Sequence, residues 1–252
     1  MMRAPAWRGR EAILAAAVFT TLVAVAAVWL ALDRRPPEWD HANHLERAVT
    51  CAGDLARGEL RAILARSSFY PPLVICAAGL AYRLAPSDVA AAQTVILAFL
   101  THGMGAVYVL ARDVAGAPAG VVSALVFGTA PVVVFSALRF QLDLPLASMV
   151  ALTLLVLTRV VAFEHRGWSV VAGLALGLGM LTKPPFAAYV LAPLVLTAAR
   201  IRSRRAVANL ALALLIGGAL SLPWYGRACS GFYPRSRAAG SGKPQSRTTP
   251  TR

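Results

Sequence analysis

Charge is scarce in this chain. Asp, Glu, Lys and Arg make up 14% of its 252 residues, against about a quarter in an ordinary soluble domain. Acids are the rarer sign: 11 Asp and Glu face 25 Lys and Arg, for a formal net charge of +14. Only two of the cations are lysines, Lys183 and Lys243. Such an excess would suit a nucleic-acid binder if it formed one patch. Here the basic residues fall in short clusters between apolar runs, as cytoplasmic loop anchors do, and nucleic acid is set aside as a partner. Cysteine is as sparse. Cys51, Cys76 and Cys229 have no metal-site spacing and cannot all pair, so unpaired thiols are expected.

What the chain has is hydrocarbon. Hydrophobic residues make up 58% of it and the mean hydropathy is +0.64, which points to a polytopic membrane protein. The expected fold class is all-α, a transmembrane helical bundle. The basic start, "MMRAPAWRGR", leads into an apolar run over 13–32. That run is too long for a cleaved signal core and about long enough to span a bilayer as a signal-anchor helix. Further apolar runs cover 72–84, 89–111, 117–136, 144–163, 168–182, 185–199 and 206–224.

The run at 72–84 decides the topology. It has 13 residues and contains Arg83, which suits a re-entrant or interfacial segment better than a span. If it does not cross, Arg112, Arg159, Arg166 and "RIRSRR" at 200–205 share the cytoplasmic side with the N-terminus, as the positive-inside rule asks. If it crosses, every later loop flips. The non-spanning reading gives about seven transmembrane helices and a long external loop, 33–88. Asp40, Asp143 and Lys183 then all fall at the external surface of the cell's inner or plasma membrane.

Those three residues are the first candidates for function. A carboxylate at a membrane boundary is costly to desolvate, although Asp143 also reads as a helix-start acid. Asp40 lies in "PPEWDHANHLERA" (36–48), crowded with Glu38, His41, His44 and Glu46. On a helix, Asp40, His41 and His44 are spaced to offer ligands to a divalent metal ion; a solvated loop is the plainer alternative. Lys183 closes "VAGLALGLGMLTK", either as a snorkelling anchor or as a point charge for phosphate. Gly173, Gly177 and Gly179 suit close helix packing. "SSFYPPL" (67–73) reads as an entry to a helix, and His102 and Arg159 as packing or interface residues.

With these residues placed, the chain resembles the GT-C class of membrane glycosyltransferases, in particular protein O-mannosyltransferases and aminoarabinose transferases. The resemblance runs over about 11–225, through "WDHANHLERA", "FYPPLVICAAGLAYRLAPSDVAAAQ", "YVLARDVAGAPAGVVSALVFGTAPVVV", "LRFQLDLPLASMVAL" and "VVAGLALGLGMLTKPPFAAYVLAPLVL". It implies an inverting transfer of sugar from a polyprenyl-phosphate donor to a hydroxyl of a protein, lipid or glycan, within the membrane's lipids and with no nucleotide cofactor. On that resemblance Asp40 and Asp143 are the catalytic residues. Lys183, Arg139, Glu38, His41 and Tyr70 bind substrate, and His44 is a candidate metal ligand. Three departures stand out. His41 follows Asp40 where the family often has a second acid, Phe69 and Tyr70 replace a Glu-Lys pair, and such enzymes usually have eleven or more helices.

From Gly226 onward the sequence has six basic residues, no acid and few apolar ones. A disordered tail, 226–252, is expected there, and a truncated or frameshifted C-terminus would account for it. Two other functions fit the composition: a non-catalytic transporter component, and an inactive remnant of the enzyme. Against a transporter stands the grouping of acids at one surface rather than at the bilayer midplane.

Overall fold

The computed structural model describes residues 9–66, 69–85 and 88–232. All regular structure in them is helical: α1 (Gly9–Leu32), α2 (Trp39–Ala56), α3 (Leu60–Arg66), α4 (Leu73–Ala81), α5 (Val89–Ala115), α6 (Ala117–Thr129), α7 (Pro131–Ala137), α8 (Asp143–Arg159), α9 (Arg166–Met180), α10 (Phe186–Ala198) and α11 (Arg204–Phe232). Three are long and apolar enough to cross a membrane: α1, α5 and α11, with α6 and α7 together a fourth if the bent pair counts as one span. The seven expected spans are therefore three or four by length, because α8, α9 and α10 have 17, 15 and 13 residues. Large apolar side chains such as Val25 and Val28 on α1, Leu191 and Leu196 on α10 and Leu215 on α11 face outward. A bilayer covers such surface at no cost, whereas water would not.

Two apolar runs end differently from their hydropathy. The run 117–136 is not one helix. Pro131 opens α7, where it withholds an amide from α6, and the two axes diverge by 62°. The run 144–163 stops at Arg159, and Val161, Ala162 and Phe163 turn with φ of 44°, 55° and 63°. This left-handed turn is held from the side. Phe163 is fully buried, its carbonyl accepts from Asn209 Nδ2 at 2.8 Å, and Glu164 accepts from Ser203 Oγ at 2.9 Å. Nearby, Arg159 and Arg112 both pair with Asp113.

Segment 72–84 holds only the nine residues of α4 and a following turn. α2 is amphipathic, and its buried residues His44, Leu45, Ala48 and Cys51 recur at helical spacing and face α4. Gly79 lets the two helices close: a Cβ there would meet Ala48 O and Ala52 N at 3.0 Å. That approach corrects the expectation of unpaired thiols. Cys51 and Cys76 form a disulfide, with Cα atoms 5.5 Å apart. The side chain of Cys229 lies outside the described residues.

α5 is the central helix. Asp88 caps its start by accepting from Ala91 N at 2.7 Å, and it packs against α6, α8, α4 and α1. α9 lies close along α11, because a Cβ on Gly173 would come within 2.6 Å of Ala213 O. α11 runs on through Gly226 to Phe232, where the tail was expected to begin. Residues 233–252, the rest of that tail, lie outside the described residues.

Candidate active site

The site lies at the end of the bundle where α1 finishes. Asp33 and Arg35 follow α1 directly. Arg35 donates to the Asp33 carboxylate from Nε (2.8 Å) and Nη2 (2.7 Å), a bidentate pair, and lies 5.8 Å from the Trp29 ring centre. That guanidinium holds the Asp33 carboxyl well below the usual carboxylate range. Glu38, the N-cap position of α2, accepts from Arg139 Nη1 at 2.8 Å. Arg139 in turn sits over the Phe135 ring at 4.3 Å. The two ion pairs and the two rings wall a hollow of about 140 Å³, which His41 and Leu138 complete. Burial, then the charge of Arg139, pushes the His41 imidazole below its ordinary pKa, against an opposing pull from Glu38 and Asp33.

A second cluster lies on the neighbouring face of α2. His44 is buried, 2% exposed, with its ring edge-on to Tyr70 at 4.9 Å. The Arg47 guanidinium sits 5.9 Å from the same Tyr70 ring. The His44 pKa is lowered by burial and by the charges of Arg47, Lys183 and His41, against an opposing pull from Asp40. Lys183 Nζ pairs with Asp143 Oδ1 at 2.6 Å, which joins the loop after α9 to the first residue of α8. Leu73 N donates to Leu181 O at 3.1 Å and sets the start of α4 against that loop. Asp40 itself, in the first turn of α2, is exposed.

An apolar cleft of about 460 Å³ lies between α5, α8 and α9. Phe99, Met149, Leu152, Val156, Leu174 and Leu178 line it, and Leu73 stands at its head. Its polar lining residues are already satisfied: Ser148 Oγ donates to Phe99 O at 2.7 Å, and His102 Nδ1 lies 2.6 Å from Ala98 O. The cleft suits a hydrocarbon chain rather than a polar ligand.

The sequence candidates thus divide. His44 packs on Tyr70, Lys183 pairs with Asp143, Glu38, His41 and Arg139 line one hollow, and Asp40 lies exposed one turn before His44. Arg139 stands with Glu38, not with Lys183. Trp29, Asp33, Arg35 and Phe135 were not singled out from the sequence, although Asp-x-Arg beside a membrane-end tryptophan was legible there. Among the described residues no three of His, Cys, Asp or Glu come together as metal ligands. His41 and His44 face different neighbours, so the pair offers no complete set for a divalent ion.

None of the curated proteins matches the chain by sequence. Residues 70–224, more than half of it, match the family model described as dolichyl-phosphate-mannose-protein mannosyltransferase. With that match and its outward apolar helices, this chain belongs to the dolichyl-phosphate-mannose-protein mannosyltransferase family of membrane glycosyltransferases.

Proposed function

We infer that the chain transfers a sugar from a polyprenyl-phosphate donor to an acceptor hydroxyl, with inversion, on the external face of the inner or plasma membrane. The observation that supports this reading is an apolar cleft lined by Leu73, whose amide donates to Leu181 O, two residues before the Lys183 that pairs with Asp143; such a cleft and ammonium suit the two ends of the donor. The prenyl chain lies in the cleft. The phosphate stands against Lys183, whose ammonium offsets the charge that grows as the sugar leaves. Asp143 holds Lys183 in place and orients the acceptor.

Asp40 is the base. Its carboxylate is exposed in the first turn of α2, one helical turn before the buried His44. The acceptor hydroxyl oxygen attacks the anomeric carbon and its proton passes to Asp40. The bond from that carbon to the phosphate oxygen breaks, and prenyl phosphate leaves with the electron pair. The external placement is supported by the Cys51–Cys76 bond, which belongs in an oxidising compartment. It is supported also by the arginines at 200–205, at the opposite end of the bundle.

The test is transfer from radiolabelled polyprenyl-phosphate sugars by the reconstituted protein. General-base catalysis is worth about 10²–10⁴-fold, so Asp40→Asn should cut turnover by that factor and leave expression intact. Near wild-type turnover in that variant would refute the assignment.

A further inference from the structure

At the end of the bundle opposite the candidate site, two turns are tied together: 160–165 between α8 and α9, and 199–203 between α10 and α11. Asn209 Nδ2 donates to Phe163 O at 2.8 Å and Ser203 Oγ to Glu164 at 2.9 Å, while Ile201 packs among Val160, Phe163 and Ala206. Arg202 Nη1 donates to Ala199 O and Ile201 O, each at 3.1 Å, so the second turn is also braced from within. Around this brace Arg166, Arg200, Arg204 and Arg205 are exposed, and among the described residues none of them forms an ion pair. The carboxylates beside them are engaged: Glu164 accepts from Ser203, and Asp113 pairs with both Arg112 and Arg159. We propose that these turns bind the phosphate of an anionic phospholipid from the leaflet at this end of the bundle, with its acyl chains lying along α10 and α11. The proposal needs a membrane around the chain and does not need the transferase reading.

Unmatched cations at a membrane surface attract anionic headgroups. Orienting the chain in the membrane would need only positive charge, which lysine supplies equally. Here every cation of the two turns is an arginine, whose planar fork matches phosphate oxygens, and the turns that carry them are held in place. The surface below them is apolar and exposed. On α11, Val207, Ala211 and Leu214 follow Arg204 at helical spacing, and all are exposed. On α10, Ala192 and Leu196 precede Arg200 at the same spacing and are exposed as well. The stripe on α11 runs about 15 Å at 1.5 Å per residue. That is about half of the hydrocarbon thickness, the depth of one leaflet. Trp168, near the start of α9 and 42% exposed, stands where interfacial aromatics mark the lipid–water boundary. An acidic protein would match the arginines but not the apolar stripes beneath them, and a phospholipid matches both.

Native mass spectrometry on the full chain, released from micelles titrated with phosphatidylglycerol or phosphatidylcholine, reads the retained lipid by its mass. Phosphatidylglycerol should stay bound where phosphatidylcholine leaves. Arg200→Gln/Arg204→Gln/Arg205→Gln should weaken its binding about 100-fold, at about fivefold per arginine. Arg34→Gln/Arg61→Gln/Arg83→Gln removes the same charge from the segment 33–88 and should leave binding unchanged. If the first variant does not insert, the wild-type protein still decides. Phosphatidylglycerol with a photoreactive acyl chain should label 192–196 and 207–214. The proposal is overturned if phosphatidylcholine is retained equally, if both triple variants lose the lipid alike, or if the label falls away from α10 and α11. It is overturned also if polyglutamate displaces the lipid and binds as tightly, which would make the patch a docking face for an acidic protein. No readout here uses sugar transfer, so a failed transfer assay sinks the enzyme reading and leaves the lipid site standing.

Discussion

Breaking the Cys51–Cys76 bond should loosen α4 before anything else in the molecule. The bond closes a loop of 25 residues that includes the turn after α2, α3 and the "FYPP" entry to α4. It lies outside the long apolar helices, where loop entropy can be treated as for a soluble chain. The chain-entropy relation for a loop of that length gives about 12 cal/mol/K, or about 3.5 kcal/mol at 25 °C. Without the bond, α4 is held by Val74, Ile75 and Ala78 buried against α2 and α5 and by Leu73 N on Leu181 O. The opening equilibrium of α4 should then rise by about 300-fold.

Native-state hydrogen exchange on the Cys51→Ala/Cys76→Ala protein reads this directly. Protection should fall at 73–81 and stay unchanged in the middle of α5 and α11, because no contact of theirs is removed. The sugar-transfer rate should fall as well, since Tyr70 is positioned by the start of α4 and lies against His44. Equal protection at 73–81 in the wild type and the variant would refute the reasoning. Alkylation of both thiols in membranes prepared without reductant would refute its premise.

Lys183→Met should reduce transfer severely and leave stability almost unchanged: the Lys183–Asp143 pair has side chains 23% and 54% exposed, and such pairs are worth about 1 kcal/mol or less. Comparing turnover with a denaturation midpoint separates the two effects. Val161→Gly should raise the midpoint by about 2 °C. A left-handed residue with a Cβ costs about 1–2 kcal/mol, glycine returns about 0.5–1 kcal/mol of that as chain entropy, and Val161 is 59% exposed. Val160→Gly next to it is the control: Val160 is fully buried with φ −70°, and its midpoint should fall. Stability should also decline as pH drops below about 6.5. Burial lowers the pKa of His41 and His44 in the fold, so the unfolded chain binds more protons in that window, and the fold is stabilised above it. A pH series of melts on His44→Phe should show a shallower decline, and an equal slope would locate the titration elsewhere. With Asp40→Asn, these variants separate chemistry from folding.

The helices were legible in the sequence wherever hydropathy alone decides, as at 13–32, 89–111 and 206–224. It failed where backbone geometry decides. Pro131 sits inside an apolar run, and nothing in hydropathy distinguishes a bent pair from a straight span. Val161–Phe163 is as apolar as any span, yet its left-handed turn depends on Asn209 and Ser203, more than 35 residues away along the chain. The disulfide was hidden for a related reason. Cys51 and Cys76 show no motif spacing, and their meeting depends on Gly79 letting α4 lie against α2.

The candidate site shows the same division. The residue types in "PPEWDHANHLERA" marked it as a candidate, and Glu38 and His41 line the hollow at the end of α1. Helical spacing alone suggested that His41 and His44 act together, since residues three apart are neighbours on a helix surface. They point about 60° apart around the helix axis, and α2 is wedged between two neighbours. That rotation sends His41 toward Arg139 on the loop before α8 and His44 toward Tyr70 before α4. A pair that reads as one ligand set is therefore a partition, and because successive residues turn by about 100°, Asp40 falls on the His44 side of it.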